Sequence, residues 1–343
     1  MDSTIHQAPR NAAARHKARS TMDILLHLGA HRTASTSFQH YLRRNAAWLE
    51  VSGAVLWGPQ VTRNGLLAGT FAMPGRLSAA QQFTRAQGRV ALALAAAEQS
   101  GARHVVMSDE NLIGAPRRNL RDMRLYPGAG ERMARYFAAL GGRVRRVVFS
   151  IRAQDAYWNS CLAFSVARGG YVPGSAERAH IAGTVRGWRD VITDLACAMP
   201  GVEIIVTPHE AFAGLPERRL ALLLGGAAGK MPRRHAREWL SRSPDLPGLR
   251  AALQARGADW RQLPEGEGPW QAFTDAERAA LREAYADDLF WLRSGAGGLV
   301  TLREETDLTD LTDLTDLAGA GITPPATVLT RGQSDERERR RMA

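Results

Sequence analysis

Lysine is almost missing from this chain. It stands only at positions 17 and 230, although lysine and arginine together number 45 and the formal net charge is +11. The positive charge is therefore arginine charge. It is scattered through helical segments, with no basic stripe interleaved with aromatics, and that scatter speaks against a nucleic-acid partner. A basic surface still favours an anionic ligand by raising its local concentration. Long apolar runs are missing too. The richest, Val90 to Ala97, is flanked by Arg89 and Glu98 and falls well short of the ~18 residues a membrane helix needs, so stable membrane insertion is not expected. Cysteine occurs twice, at Cys161 and Cys197. Two cysteines make no disulfide framework and these have no metal-ligand spacing, so a reducing cytoplasm is the expected location. Residues 1–21 carry Arg10, Arg15, Lys17 and Arg19 without an apolar stretch, unlike a secretory signal. They read as a disordered N-terminal extension, and Met22, directly ahead of the first strand, is an alternative start to Met1.

What the sequence has in abundance is alternation. Apolar, β-branched runs at 24–28, 54–57, 104–108, 144–151 and 202–207 are separated by helical patterns, among them 78–100, 131–140, the helix carrying Ser160, 177–199 as one or two helices, and 275–293. Strands separated by helices imply a central parallel sheet flanked by helices in three layers, with ligands at the carboxyl ends of the strands. One α/β domain over 22–305 is the expectation. Beyond it, Thr306 to Leu317 repeats Thr-Asp-Leu four times, a three-residue period that drifts around a helix instead of holding one face. Residues 306–343 therefore read as a low-complexity linker and disordered tail.

The most informative stretch is Ile24 to Phe38, where the apolar run Ile24-Leu25-Leu26-His27-Leu28 stops at Gly29 and restarts as helix after Ala30-His31-Arg32-Thr33-Ala34-Ser35-Thr36. A strand feeding a tight turn into a helix N-terminus aims free backbone N–H groups and the positive end of the helix dipole at one point, where an anion belongs. Against the nucleoside-triphosphatase pattern G-x-x-x-x-G-K-[ST], Gly29 and Thr36 are in register, yet Ala34 stands at the second glycine and Ser35 at the lysine. The nearest cation is Arg32, inside the loop. A second segment, Arg145 to Ser160, reads as a β-branched strand ending in Arg152, then a helix with Ser160 eight residues on. An arginine at a strand's end offers a planar, two-toothed donor to a phosphate, and a hydroxyl just over two helical turns later can join it. The alternative reading of Arg152 is an ion pair with Asp155. A third strand, His104 to Met107, runs into Ser108-Asp109-Glu110 and sets an acidic pair on the same rim, where either acid could instead cap the next turn.

The loop Gly29 to Gln39 resembles the 5′-phosphosulfate loop of sulfotransferases that use 3′-phosphoadenosine 5′-phosphosulfate (PAPS), especially bacterial members reading roughly G-x-x-K-T-G-T-T-x-x-Q. The strand, arginine, eight-residue step and serine ending at Ser160 resemble that family's 3′-phosphate site, and Ser108-Asp109-Glu110 its S-x-E. Trp188 with Val202 to Glu210, and Phe273 to Leu292, are similar to its later segments less specifically; the apolar stripe at 281, 285, 289 and 292 reads as core packing. The resemblance implies a P-loop-type fold and in-line transfer of a sulfuryl group from PAPS to a hydroxyl or amine of a glycan, lipid or small metabolite, with no metal required. It implies that Gly29, Ala30, His31, Arg32, Thr33, Ala34, Ser35 and Thr36 hold the 5′-phosphate, with Arg32 neutralising the leaving oxygen. Arg152 and Ser160 would hold the 3′-phosphate. Glu110 would be the general base that takes the acceptor's proton, and His31 and His104 are the alternatives. Two departures stand out: Arg32 replaces the family's lysine, and Ala34 replaces a glycine, which strains the loop if the backbone there has positive φ. The rivals are a P-loop kinase, disfavoured by the missing lysine at Ser35, and a catalytically silent nucleotide-binding protein.

Overall fold

The computed structural model describes residues 22–226 and 231–304. The expected extension at 1–21 and tail at 306–343 lie outside the described residues. One six-stranded sheet organises the rest, in the order β2-β3-β1-β4-β5-β6. Its strands are β1 (Asp23–Gly29), β2 (Ala54–Trp57), β3 (His104–Ser108), β4 (Val144–Ile151), β5 (Glu203–Pro208) and β6 (Thr301–Leu302). All neighbours are parallel, as the alternation of strands and helices predicts. β6, at two residues, is too short to show a pattern in sequence.

Strand side chains alternate between faces, and that divides the core in two. Ile24, Leu26 and Leu28 of β1 join Val105, Met107, Val147 and Phe149 on one face, while Leu25, Val106, Val148 and Ile205 point to the other. The first face is covered by the long helices, and the second by α1 (Ser35–Arg44) and short helices at Ala46–Val51, His209–Phe212 and Pro216–Leu224. The long helices are α2 (Ala79–Gln99), α3 (Ala129–Ala139), α4 (Gln154–Ala167), α5 (Trp188–Ala198) and α6 (Asp275–Arg293). Capping boxes set the starts of α2 and α6, where Ser78 pairs reciprocally with Gln81 and Thr274 with Glu277. The expected helical stretch at 177–199 is two helices, Ser175–Ala182 and α5. No helix among the described residues is long and apolar enough to cross a membrane.

The topology locates the site. The chain leaves β1 for the edge strand β2, returns to β3 beside β1, and then crosses to β4 on the other side. In an open parallel sheet, ligands bind in the crevice where the strand order reverses. The three strands bounding that crevice end in Gly29, Ser108 and Ile151, next to the three segments singled out in the sequence.

Candidate functional site

A cleft of about 1030 Å3 opens over these strand ends. Its floor is the turn between β1 and α1, and Gly29 is dictated by packing: a Cβ there would stand 2.1 Å from Ser35 Oγ and 2.9 Å from Thr33 Oγ1. Thr33 ties the turn by donating to the Ala30 carbonyl at 2.5 Å, and the Ala30 amide extends the β1–β4 ladder to the Ser150 carbonyl at 2.9 Å. Arg32 and Ala34 both have left-handed backbones, φ 66° and φ 63°. Each is strained by roughly 1–2 kcal/mol as a non-glycine residue, Ala34 at the position where the resemblance expects a glycine. No side chain caps α1 at Ala34, so its first amides are left to water or a ligand. Ser35 Oγ, buried beside them, has no partner among the described residues. Thr36 is exposed in the cleft. An anion here would meet several donors that the protein leaves uncommitted.

The two arginines and Ser160 come together at one end. Arg152 Nη1 donates to the Arg32 carbonyl at 2.8 Å, clamping the loop, while its Nε is buried without a partner among the described residues. The Arg32 side chain crosses to α4, where Nε donates to Ser160 Oγ at 2.9 Å, and Nη2 donates to the Ser241 carbonyl and to Ser243 Oγ, each at 3.0 Å. Ser160 and Ser243 hydroxyls are 2.7 Å apart. The sequence reading put Arg32 and Ser160 at opposite ends of a nucleotide; the structure has them in contact. The strap Trp239–Ser243 crosses the loop, with the Leu240 amide donating to Ser37 Oγ at 2.9 Å. Burial lowers the pKa of both Arg32 and Arg152, yet a guanidinium stays charged. Asp155 does not pair with Arg152: its carboxylate takes Arg282 Nε at 2.6 Å.

The acidic pair divides its labour. Asp109 is the cap, with Oδ1 accepting the Asn111 amide at 3.0 Å, and it is 1% exposed. Thr62 Oγ1 donates to its Oδ2 at 2.5 Å and Arg63 Nη2 to its Oδ1 at 2.6 Å. Glu110 instead faces the cleft. Gln39 Nε2 donates to its Oε2 at 2.6 Å and Arg63 Nη2 to its Oε1 at 3.1 Å. Both oxygens are held, so the carboxylate has a fixed orientation. Gln39, which ends the loop motif but is assigned no role from sequence, and Arg63, on the kinked turn Thr62–Leu66, join the site only in the structure. Arg63 has no sequence signal, because only folding brings it to Asp109.

The histidines sort by geometry. His31 is locked: Tyr126 Oη accepts from its amide at 2.8 Å and donates to Nδ1 at 2.9 Å, while Nε2 donates to Asn111 Oδ1 at 2.9 Å. Burial lowers its pKa, so it is a neutral strut and a poor base. His104 begins β3, at the end of the sheet opposite the cleft. His31 thus lines the cleft with both ring nitrogens engaged, and His104 lies away from it. His209, one residue past β5, does line the cleft. Its Nδ1 has no partner among the described residues, and burial pushes its pKa down to about 3. The strand-end rule alone points to it.

No family model, curated protein or solved structure matches this chain. The geometry therefore carries the functional argument. Among the described residues, no group of three or more His, Cys, Asp or Glu side chains is arranged to hold a metal ion.

Proposed function

We propose that this chain is a PAPS-dependent sulfotransferase. The observation that carries the reading is that one cleft joins an uncapped helix N-terminus and two half-buried arginines at one end to a held carboxylate at the other. Uncommitted donors suit a bis-anionic nucleotide, and a fixed carboxylate suits an acceptor that must lose a proton.

The α1 amides, Ser35 and Thr36 bind the 5′-phosphate; the free Nε of Arg152, with Ser160, binds the 3′-phosphate. The partners of Arg32 are hydroxyls and a carbonyl, and phosphate oxygens are stronger acceptors for a guanidinium. PAPS thus draws Arg32 onto the bridging oxygen, where it stabilises charge as the bond breaks. The acceptor oxygen or nitrogen forms its bond to sulfur as the sulfur–oxygen bond to the phosphate breaks. The proton passes to Glu110, and 3′-phosphoadenosine 5′-phosphate (PAP) leaves with the electron pair. The acidic pair of strand β3 thereby gives one residue to structure and one to chemistry.

The test is mass spectrometry of an acceptor panel of glycans, lipids and metabolites incubated with protein and PAPS. A gain of one sulfo group supports the reading and names the acceptor class. PAP binding without turnover on any acceptor assigns a silent nucleotide-binding role instead, and ATP binding stronger than PAP binding assigns a kinase.

A further inference from the structure

We propose that the acceptor is itself an anion, carrying a carboxylate, sulfate or phosphate close to the group that is modified. The inference rests on Glu110 being the base at which the acceptor docks. Gln39, whose amide nitrogen is 2.6 Å from Glu110, and Arg43 lie four residues apart on α1. Residues at that spacing share a helix face, roughly 5–6 Å apart. Arg43 therefore stands one turn beyond the contact with Glu110, exposed, and it lines the same cleft. From the turn Thr62–Leu66, Arg63 touches the other Glu110 oxygen at 3.1 Å. One guanidinium thus holds the carboxylate, and a second lines the same cleft one helical turn along α1 from Gln39.

The charge balance decides what the second awaits. Three carboxylates, Glu110, Asp155 and Asp245, line the cleft, with Asp109 buried behind Glu110, and each of the four has a commitment inside the protein. Asp109 is buried under Arg63 and Thr62, and Glu110 is held by Gln39 and Arg63. Asp155 pairs with Arg282, and Asp245 caps the helix Leu246–Gln254 through the Gly248 amide. Arg43 makes no ion pair among the described residues. Arg63 has an anchored Nε and Nη2, with a side chain still 42% exposed. Arg63 is matched by Asp109 and Glu110, which leaves Arg43 as the cation of this pair whose counter-charge enters with the ligand. The donor's phosphates are claimed by the loop and Arg152, so the acceptor supplies it. Arginine in a fixed orientation selects planar or tetrahedral oxyanions through forked hydrogen bonds.

Binding of two matched probe pairs to the protein, with and without PAP, tests this by calorimetry. A hyaluronan tetrasaccharide is set against neutral chitotetraose, and glucose 6-phosphate against glucose, so that a carboxylated saccharide and a phosphorylated metabolite are distinguished. At least one charged member is expected to bind about tenfold or more tightly than its neutral counterpart, the worth of a charge-assisted hydrogen bond. Arg43→Gln is expected to erase that preference, while Arg44→Gln, one residue on and off the cleft-facing side of α1, keeps it. Equal binding within both pairs, no binding by either charged probe, or a preference that survives Arg43→Gln overturns the proposal. PAP affinity is read separately: a wild-type protein that prefers the charged probe yet ignores PAP retains the anion site and loses the donor reading.

Discussion

The two ends of the cleft are built on opposite principles. At the loop end, polar groups are left unpaired: α1 has no side-chain cap, and the buried Ser35 Oγ and Arg152 Nε have no partner among the described residues. At the Glu110 end, Gln39, Arg63, Thr62 and Asp109 close into a network in which each carboxylate oxygen has a donor. A buried polar group without a partner costs free energy, on the order of 1–3 kcal/mol, which a bound anion recovers. A closed network instead fixes direction. One end is thus organised to bind and the other to position, and the two should respond differently to mutation.

The sharpest break between them is Glu110→Gln. Turnover on an identified acceptor should fall by ~10²–10⁴, the range of general-base contributions, while PAP affinity by calorimetry stays near the wild-type value. A near-normal kcat would remove Glu110 from the chemistry. The complementary change, Arg152→Ala, should weaken PAP by about 1.5–3 kcal/mol, a hydrogen bond to a charged group. Adenosine 5′-phosphosulfate, which lacks the 3′-phosphate, should lose less, and that remainder reports the clamp on the Arg32 carbonyl. Equal losses for both ligands would make Arg152 a loop clamp alone.

Protonation offers a third contrast. The pKa of His209 is pushed from 6.5 down to about 3 by burial, and burial also lowers those of His27 and His31. The unfolded chain takes up these protons as pH falls through the ordinary value, while the folded protein refuses them until much lower pH. Their contribution to stability is therefore whole above about pH 6.5 and is lost progressively below it. Thermal unfolding midpoints should drop over that range, and His209→Gln should flatten the slope; an unchanged slope contradicts the burial of a neutral imidazole. The smallest effect is expected from Ala34→Gly. With φ at 63°, glycine should relieve about 1 kcal/mol of strain and raise the unfolding midpoint. A lowered midpoint would show that the loop does not hold that conformation.

How much of this was legible in the sequence follows from how local each signal is. Strands β1 to β5 and helices α2, α4 and α6 announce themselves through periodicity, and the strand-end rule brings Gly29–Thr36, Glu110 and Arg152 to one crevice before any coordinates. Side-chain direction is different. Arg32 lies in the loop by sequence, yet its guanidinium reaches a strap more than two hundred residues away, at Ser241. Arg63 becomes a site residue only because a kinked turn sets it over buried Asp109. His31 looks like a base until Tyr126 and Asn111 are found on its two ring nitrogens. Long-range pairings of this kind leave no mark in spacing.

The measurement that bears most directly on the central claim is a calorimetric comparison of PAP, AMP and ATP on the wild-type protein. PAP and AMP differ only by the 3′-phosphate, so PAP should bind more tightly by about 1.5–3 kcal/mol, with ATP weaker than PAP because no lysine stands at Ser35 to read a triphosphate. PAP no better than AMP, or ATP tighter than both, would contradict the account.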